Sequence, residues 1–225
     1  MKKLHFLCEG QTEWTIVRDV LEPRFTCPTT FVTSTILTTR RTGSAKAFKG
    51  GVSKWSRIHA EIRTLLRDSS LTVLTTCLDY YGLPRDAPGL EDLPVGPARA
   101  RVEHVEKAMG AAVDDPRFVP HLVQHETEAW VLACPEELEV VTNEPGIAAK
   151  VRALVQGAGG PEAVNDSPAT APSKRLMRLC PSYDKVAHGP QAIGLADLDD
   201  LRRQCPHTDT WFRDLDERLG IGRTN

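Results

Sequence analysis

The chain has 225 residues, 40% of them hydrophobic and 26% charged, with a formal net charge of -2. That size and balance suit one globular domain, or one domain with an appendage, able to bury a core without staples. They exclude a globally basic nucleic-acid binder, and no apolar run reaches membrane-spanning length or follows Lys2 and Lys3 for long enough to be a signal peptide, so the expected compartment is the cytoplasm, with no membrane partner.

In chain order, the apolar run Leu4 to Cys8 predicts a first strand over residues 3–8. Thr12, followed by Trp14, Val17, Val20 and Leu21, predicts a helix with Thr12 as N-cap, stopped by Pro23. A second strand over 30–37 is rich in Thr, Val and Ile. A loop over 38–54 follows. Trp55, Ile58, Ile62 and Leu65 then fall at helical spacing. A third strand, 71–78, ends at Asp79. A Pro/Gly loop over 82–97 leads to a helix carrying Val102, Val105 and Met109. A fourth strand, 118–123, runs into His125-Glu126-Thr127-Glu128-Ala129-Trp130, the start of another helix.

This alternation predicts an α/β fold with a mostly parallel four-stranded sheet, covering residues 1–134. Beyond Cys134 the strand signal vanishes. Residues 135–225 read as a helical extension packed on that core, with helices over 146–156, 173–179, 197–204 and 208–219. The Gly/Pro/Ala-rich stretch 157–172 is the expected flexible link. The cysteines, Cys8, Cys27, Cys77, Cys134, Cys180 and Cys205, form no CxxC pair, which argues against a structural zinc site.

The chemistry concentrates at strand ends. Glu9-Gly10-Gln11-Thr12-Glu13 follows the first strand, Asp79 closes the third, and Glu126 and Glu128 follow the fourth. In a parallel sheet these tips share one edge, where α/β proteins bind ligands. If the first, third and fourth strands are neighbours, the carboxylates converge and require a cation between them. Hard oxygen donors select Mg2+ or Mn2+, and such ions serve phosphodiester cleavage. Each acid alone has a plain alternative: Glu13, Glu126 or Glu128 can simply favour a helix N-terminus.

Other features bear on substrate. Arg40, Arg41, Lys46, Lys49 and Lys54 lie in a stretch without acids, interleaved with Phe48 and Trp55. That pattern suits phosphate gripping and base stacking, or equally a solvated basic loop. His125 abuts the acids as a base or ligand candidate. No GxxxxGK[ST], GxGxxG or GxSxG motif appears, which argues against ATP hydrolysis by this chain alone, dinucleotide binding and an esterase triad.

Glu9-Gly10-Gln11-Thr12-Glu13, Asp79-Tyr80-Tyr81-Gly82 and His125-Glu126-Thr127-Glu128-Ala129 resemble the motifs of the DUF4276 family. So do Ala171-Pro172-Ser173-Lys174-Arg175-Leu176, Tyr183-Asp184-Lys185 and Cys205-Pro206-His207. That family is similar to the Toprim-like, Rossmann-like catalytic domains of OLD-type nucleases. The resemblance implies a Mg2+- or Mn2+-dependent nuclease acting on DNA or RNA beside an ABC- or AAA-type ATPase encoded nearby, in prokaryotic anti-phage defence. A homodimer is compatible with it.

By the same resemblance Glu9 is the signature glutamate, Glu13 a second ligand, and Asp79 the first acid of a DxD pair. The expected metal ligands are Glu9, Glu13, Asp79, Glu126 and Glu128, with Glu9, Asp79 and Lys174 catalytic and Lys185 the second cation candidate. The pattern is broken at Tyr81, which stands where the second DxD acid would be. A non-catalytic subunit that binds nucleic acid or regulates a partner ATPase is therefore the alternative expectation. A small-molecule phosphohydrolase using the same acids is a third.

Overall fold

A computed structural model describes residues 1–37, 54–164 and 170–222 of the chain. Five strands, β1 (Lys2–Cys8), β2 (Thr30–Ile36), β3 (Val73–Asp79), β4 (Phe118–Val119) and β5 (Leu122–Val123), form one sheet in which every pairing is parallel. The order is β2-β1-β3-β4, with β5 also pairing β3. β4 and β5 together occupy the single strand expected over 118–123. The break falls at Pro120, which has no N–H to give the ladder. Beside it His121 is pinned instead by the Thr76 hydroxyl, which accepts from the His121 N–H and donates to its carbonyl, both at 2.9 Å.

The first helix is longer and less regular than its sequence suggested. α1 (Gln11–Ile16) passes through a π-helical turn, Val17–Leu21, into α2 (Glu22–Phe25). Pro23 does not stop it: it falls directly after the π-helical turn, whose last bond runs from Glu22 N–H to the Val17 carbonyl. The N-cap is Gly10, not Thr12, and no side chain caps it.

Period-two alternation in β1 divides the molecule into layers. Leu7, with Leu74, Leu78 and Leu122, faces α3 (Trp55–Leu65) and α4 (Ala98–Val113) through Ile58, Ile62, Val102, Val105 and Met109. Leu4, Phe6 and Cys8 point the other way, into a larger cluster with α1 and with side chains from beyond Cys134. That side is built by α5 (Glu128–Leu132), α6 (Pro135–Thr142), α7 (Ile147–Ala158), α8 (Pro172–Leu179), α9 (His188–Leu195), α10 (Leu198–Gln204) and α11 (Pro206–Leu219).

The helical extension is therefore the second cover of the sheet. On α11, Trp211 Nε1 donates to Thr75 Oγ1 on β3 at 2.9 Å, and its ring meets Phe6 edge-on at 6.0 Å. The stretch expected as a flexible link is anchored at Pro161–Ala163, where Glu162 is buried. Residues 165–169 lie outside the described residues. Among the described residues no helix is long and apolar enough to cross a membrane.

Candidate active site

The strand order positions the acids. From β1 the chain runs outward to β2, then returns to β3 on the other side of β1. This reversal opens a crevice at the carboxyl ends of β1 and β3, the place where doubly wound sheets bind ligands. Glu9 follows β1, Asp79 is the last residue of β3, and residues 125–128 follow β5, the next strand across. Backbone bonds fix these tips: Glu9 N–H donates to the Cys77 carbonyl at 3.1 Å, and Tyr81 N–H to the His125 carbonyl at 3.1 Å. His125 adopts a φ of 70°, a left-handed turn uncommon for a residue with a side chain, and it turns the chain from β5 toward α5.

Each carboxylate has a defined holder. Glu9 Oε2 accepts from the Asp79 N–H at 3.0 Å. Gly82 lies directly against the same carboxylate. A Cβ there would stand 2.4 Å from both Glu9 oxygens, so only glycine allows Glu9 this position. Asp79 Oδ1 accepts from the Thr127 N–H at 3.0 Å, and Thr127 Oγ1 reaches Glu13 Oε1 at 3.5 Å. Glu13 comes from the first turn of α1 and is buried. Glu128 is 1% exposed; Tyr183 Oη lies 3.5 Å from its Oε1 and Lys185 Nζ 3.0 Å from its Oε2. Lys185 also stands 3.5 Å from Asp79 Oδ2.

The electrostatics follow from carboxyls gathered around the Lys185 ammonium in a largely buried site. Burial, reinforced by the charge of Glu13, pushes Glu9 up to about 7, against the opposing pull of the Asp79 amide and Lys185. Burial likewise raises Asp79, with Glu13, Glu9 and Glu128 adding to it and Lys185 opposing. Glu128 is raised by burial in the same way. Burial works against the Lys185 ammonium, but Asp79 and Glu128 together overcome it and raise its pKa. Beneath the acids, Cys8 and Cys77 are register partners whose thiols burial keeps protonated.

The other expected residues are distributed as follows. Glu126 sits beside the cluster, and its Oε2 accepts from the Ser173 N–H at 3.1 Å, tying β5 to the first turn of α8. α8 has Ala171 as its N-cap and opens on Pro172. Lys174 is exposed on α8, whereas Lys185, the second cation candidate, makes the ion pairs with the acids. Tyr81 packs its ring 5.1 Å from that of buried His125. Lys54 is exposed just before α3. Arg40, Arg41, Lys46 and Lys49 lie outside the described residues. Thr127, Tyr183 and Gly82 were not singled out as site residues from sequence, although each stands within a motif quoted above.

A different set of side chains has donor atoms close enough to share a metal ion. Glu106, His121 and His207 each offer one donor within 4.8 Å of the others; no three strand-tip carboxylates are drawn that close. Lys185 makes close ion pairs with Asp79 and Glu128.

Among protein families, a domain of unknown function, DUF4276, matches residues 8–216. No curated protein and no solved structure matches the chain.

Proposed function

We propose, for a chain that belongs to the DUF4276 family, metal-dependent hydrolysis of phosphodiester bonds in DNA or RNA. The observation that carries this reading is the meeting of Glu9, Glu13 and Asp79 at the switch point of a parallel sheet, with Lys185 beside them. The donors suit a hard divalent cation such as Mg2+ or Mn2+: all are carboxylate oxygens, Glu13, Asp79 and Glu128 are buried, and the neighbouring carboxyls raise the pKa of Glu9 and Asp79. Glu9, Glu13 and Asp79 would hold the cation, with Glu128 and Glu126 flanking it. Such an ion supplies Lewis-acid polarisation of the phosphate ester.

The protein's own groups do the rest. The Asp79 amide and the closeness of Gly82 hold the Glu9 carboxylate in one orientation. Thr127 fixes Asp79 from the far side. Lys185 offers an ammonium to a phosphate oxygen, and Tyr183 supports its partner Glu128. Lys54 and the basic residues before it would grip the strand backbone. A Toprim-like relation to OLD-type nucleases, a cytoplasmic location, and work beside an ABC- or AAA-type ATPase in anti-phage defence belong to the same proposal.

A second reading is favoured by one observation. Lys185 already pairs with Asp79 and Glu128, and Tyr81 stands where a further acid would be. A subunit that binds nucleic acid or regulates an ATPase without cleaving would have this composition too. Mn2+ calorimetry on wild type and on a Glu9→Gln, Asp79→Asn double variant separates the two. The nuclease reading expects saturable binding lost in the double variant, and Glu9→Gln to abolish metal-dependent cleavage without unfolding the chain. Full activity in Glu9→Gln, or no Mn2+ binding by wild type, would overturn it.

A further inference from the structure

We propose that Glu106, His121 and His207 form a second, chemically distinct metal site, one that takes Zn2+ and locks the last long helix to the edge of the sheet. The three residues come from α4, from the corner between β4 and β5, and from the first turn of α11. They are far apart in sequence and belong to no CxxC-type pattern.

Their geometry is that of a ligand set. Glu106 Oε2 lies 3.0 Å from His207 Nε2, and Glu106 Oε1 lies 3.5 Å from His121 Nδ1. Ligands bound tetrahedrally at zinc distances stand about 3.3 Å from one another. All three donors lie within 4.8 Å of each other, and the two histidine side chains are 1% and 4% exposed. Two imidazoles and one carboxylate are borderline donors that favour Zn2+ over Mg2+, in contrast to the all-oxygen set at the strand tips.

The surroundings hold the ligands in place. Both backbone polar groups of His121 bond to Thr76 Oγ1, and its ring lies 3.8 Å from the ring of Trp211, nearly parallel to it. The His207 ring is 5.0 Å from that of His121. His207 N–H donates to the buried Glu162 carboxylate at 2.9 Å, and Leu122 N–H donates to Glu106 Oε1 at 2.7 Å. These bonds fix the backbone of both histidines and the Glu106 carboxylate, while His121 Nε2 and His207 Nδ1 are buried without a hydrogen-bond partner. Cys205-Pro206-His207, a motif with no part in the strand-tip chemistry, acquires a role: it opens α11 so that His207 faces Glu106. Three protein ligands leave a fourth tetrahedral position for water.

The test is zinc calorimetry on metal-stripped full-length protein, with Co2+ as a second probe read by X-ray absorption. The Glu9→Gln, Asp79→Asn variant, with its strand-tip carboxylates disabled, should still take up one Zn2+ per chain, and wild type at least one. His207→Gln should weaken binding by roughly 100-fold or more. Co2+ bound to the strand-tip variant, which keeps Glu106, His121 and His207, should show two imidazole nitrogens in its coordination shell. No Zn2+ uptake by wild type, uptake lost in the strand-tip variant, uptake in that variant unchanged by adding His207→Gln, or an all-oxygen Co2+ shell in it would each overturn the proposal.

Discussion

At the scale of single residues, Glu9 is held where ionisation is difficult. Its pKa is raised from 4.5 to about 7, first by burial and then by Glu13. A carboxyl with a raised pKa binds its proton more tightly folded than unfolded, so stability falls as pH climbs through that interval and the cost is complete above it. In chelator-treated buffer, Glu9→Gln should match wild type in thermal stability at pH 4 and exceed it at pH 8 by on the order of 3 kcal/mol. A variant less stable than wild type at pH 8 would contradict this. Gly82 gives a steric counterpart. Gly82→Ala places a methyl group 2.4 Å from both Glu9 oxygens. It should weaken Mn2+ binding at little cost in denaturant melts, because the Glu9 carboxylate, the end of a flexible side chain, must swing off the Asp79 amide. Unchanged Mn2+ affinity would show that Glu9 is not a ligand.

At the scale of elements, strand tips and helix starts share the work. Most tip residues were legible in the sequence, because an apolar run ending in Glu9 or Asp79 marks a strand end directly. The break at Pro120 was legible only in part: the proline is plain, but the Thr76 hydroxyl that replaces the ladder bonds lies on another strand. The start of α11 shows the same limit. Glu162, within a stretch that reads as a loose linker, accepts from His207 N–H at 2.9 Å, Thr208 N–H at 3.0 Å and Thr208 Oγ1 at 2.8 Å. It caps a helix 44 residues farther along the chain. Glu162→Ala leaves those donors buried without a partner and should cost about 2–4 kcal/mol by urea unfolding. A cost below about 0.5 kcal/mol would mean that water replaces the carboxylate freely.

At the scale of the whole molecule, the boundary near residue 134 is one of secondary structure, while the apolar core runs across it. Leu4, Phe6, Val73 and Cys77 share a cluster with Leu176, Ile193, Trp211, Phe212 and Leu215. A fragment of residues 1–134 would expose that sheet face. It should lack a cooperative thermal transition and bind a hydrophobic dye, whereas the full chain should melt in one step. A cooperatively folded fragment would make the helical segment a separable domain. The same coverage carries Tyr183 and Lys185 to the acids and His207 to Glu106.

The sequence by itself determined the alternation of strands and helices, the parallel sheet and the acids at its carboxyl edge, since each depends on local periodicity and on the few residues at an element's end. Tertiary structure alone decided which cation meets those acids, which glycine admits Glu9, and which histidines meet Glu106. The physical reason is separation along the chain. Lys185 reaches Asp79, and His207 reaches Glu106, only because apolar faces written into distant helices bury themselves on the same sheet.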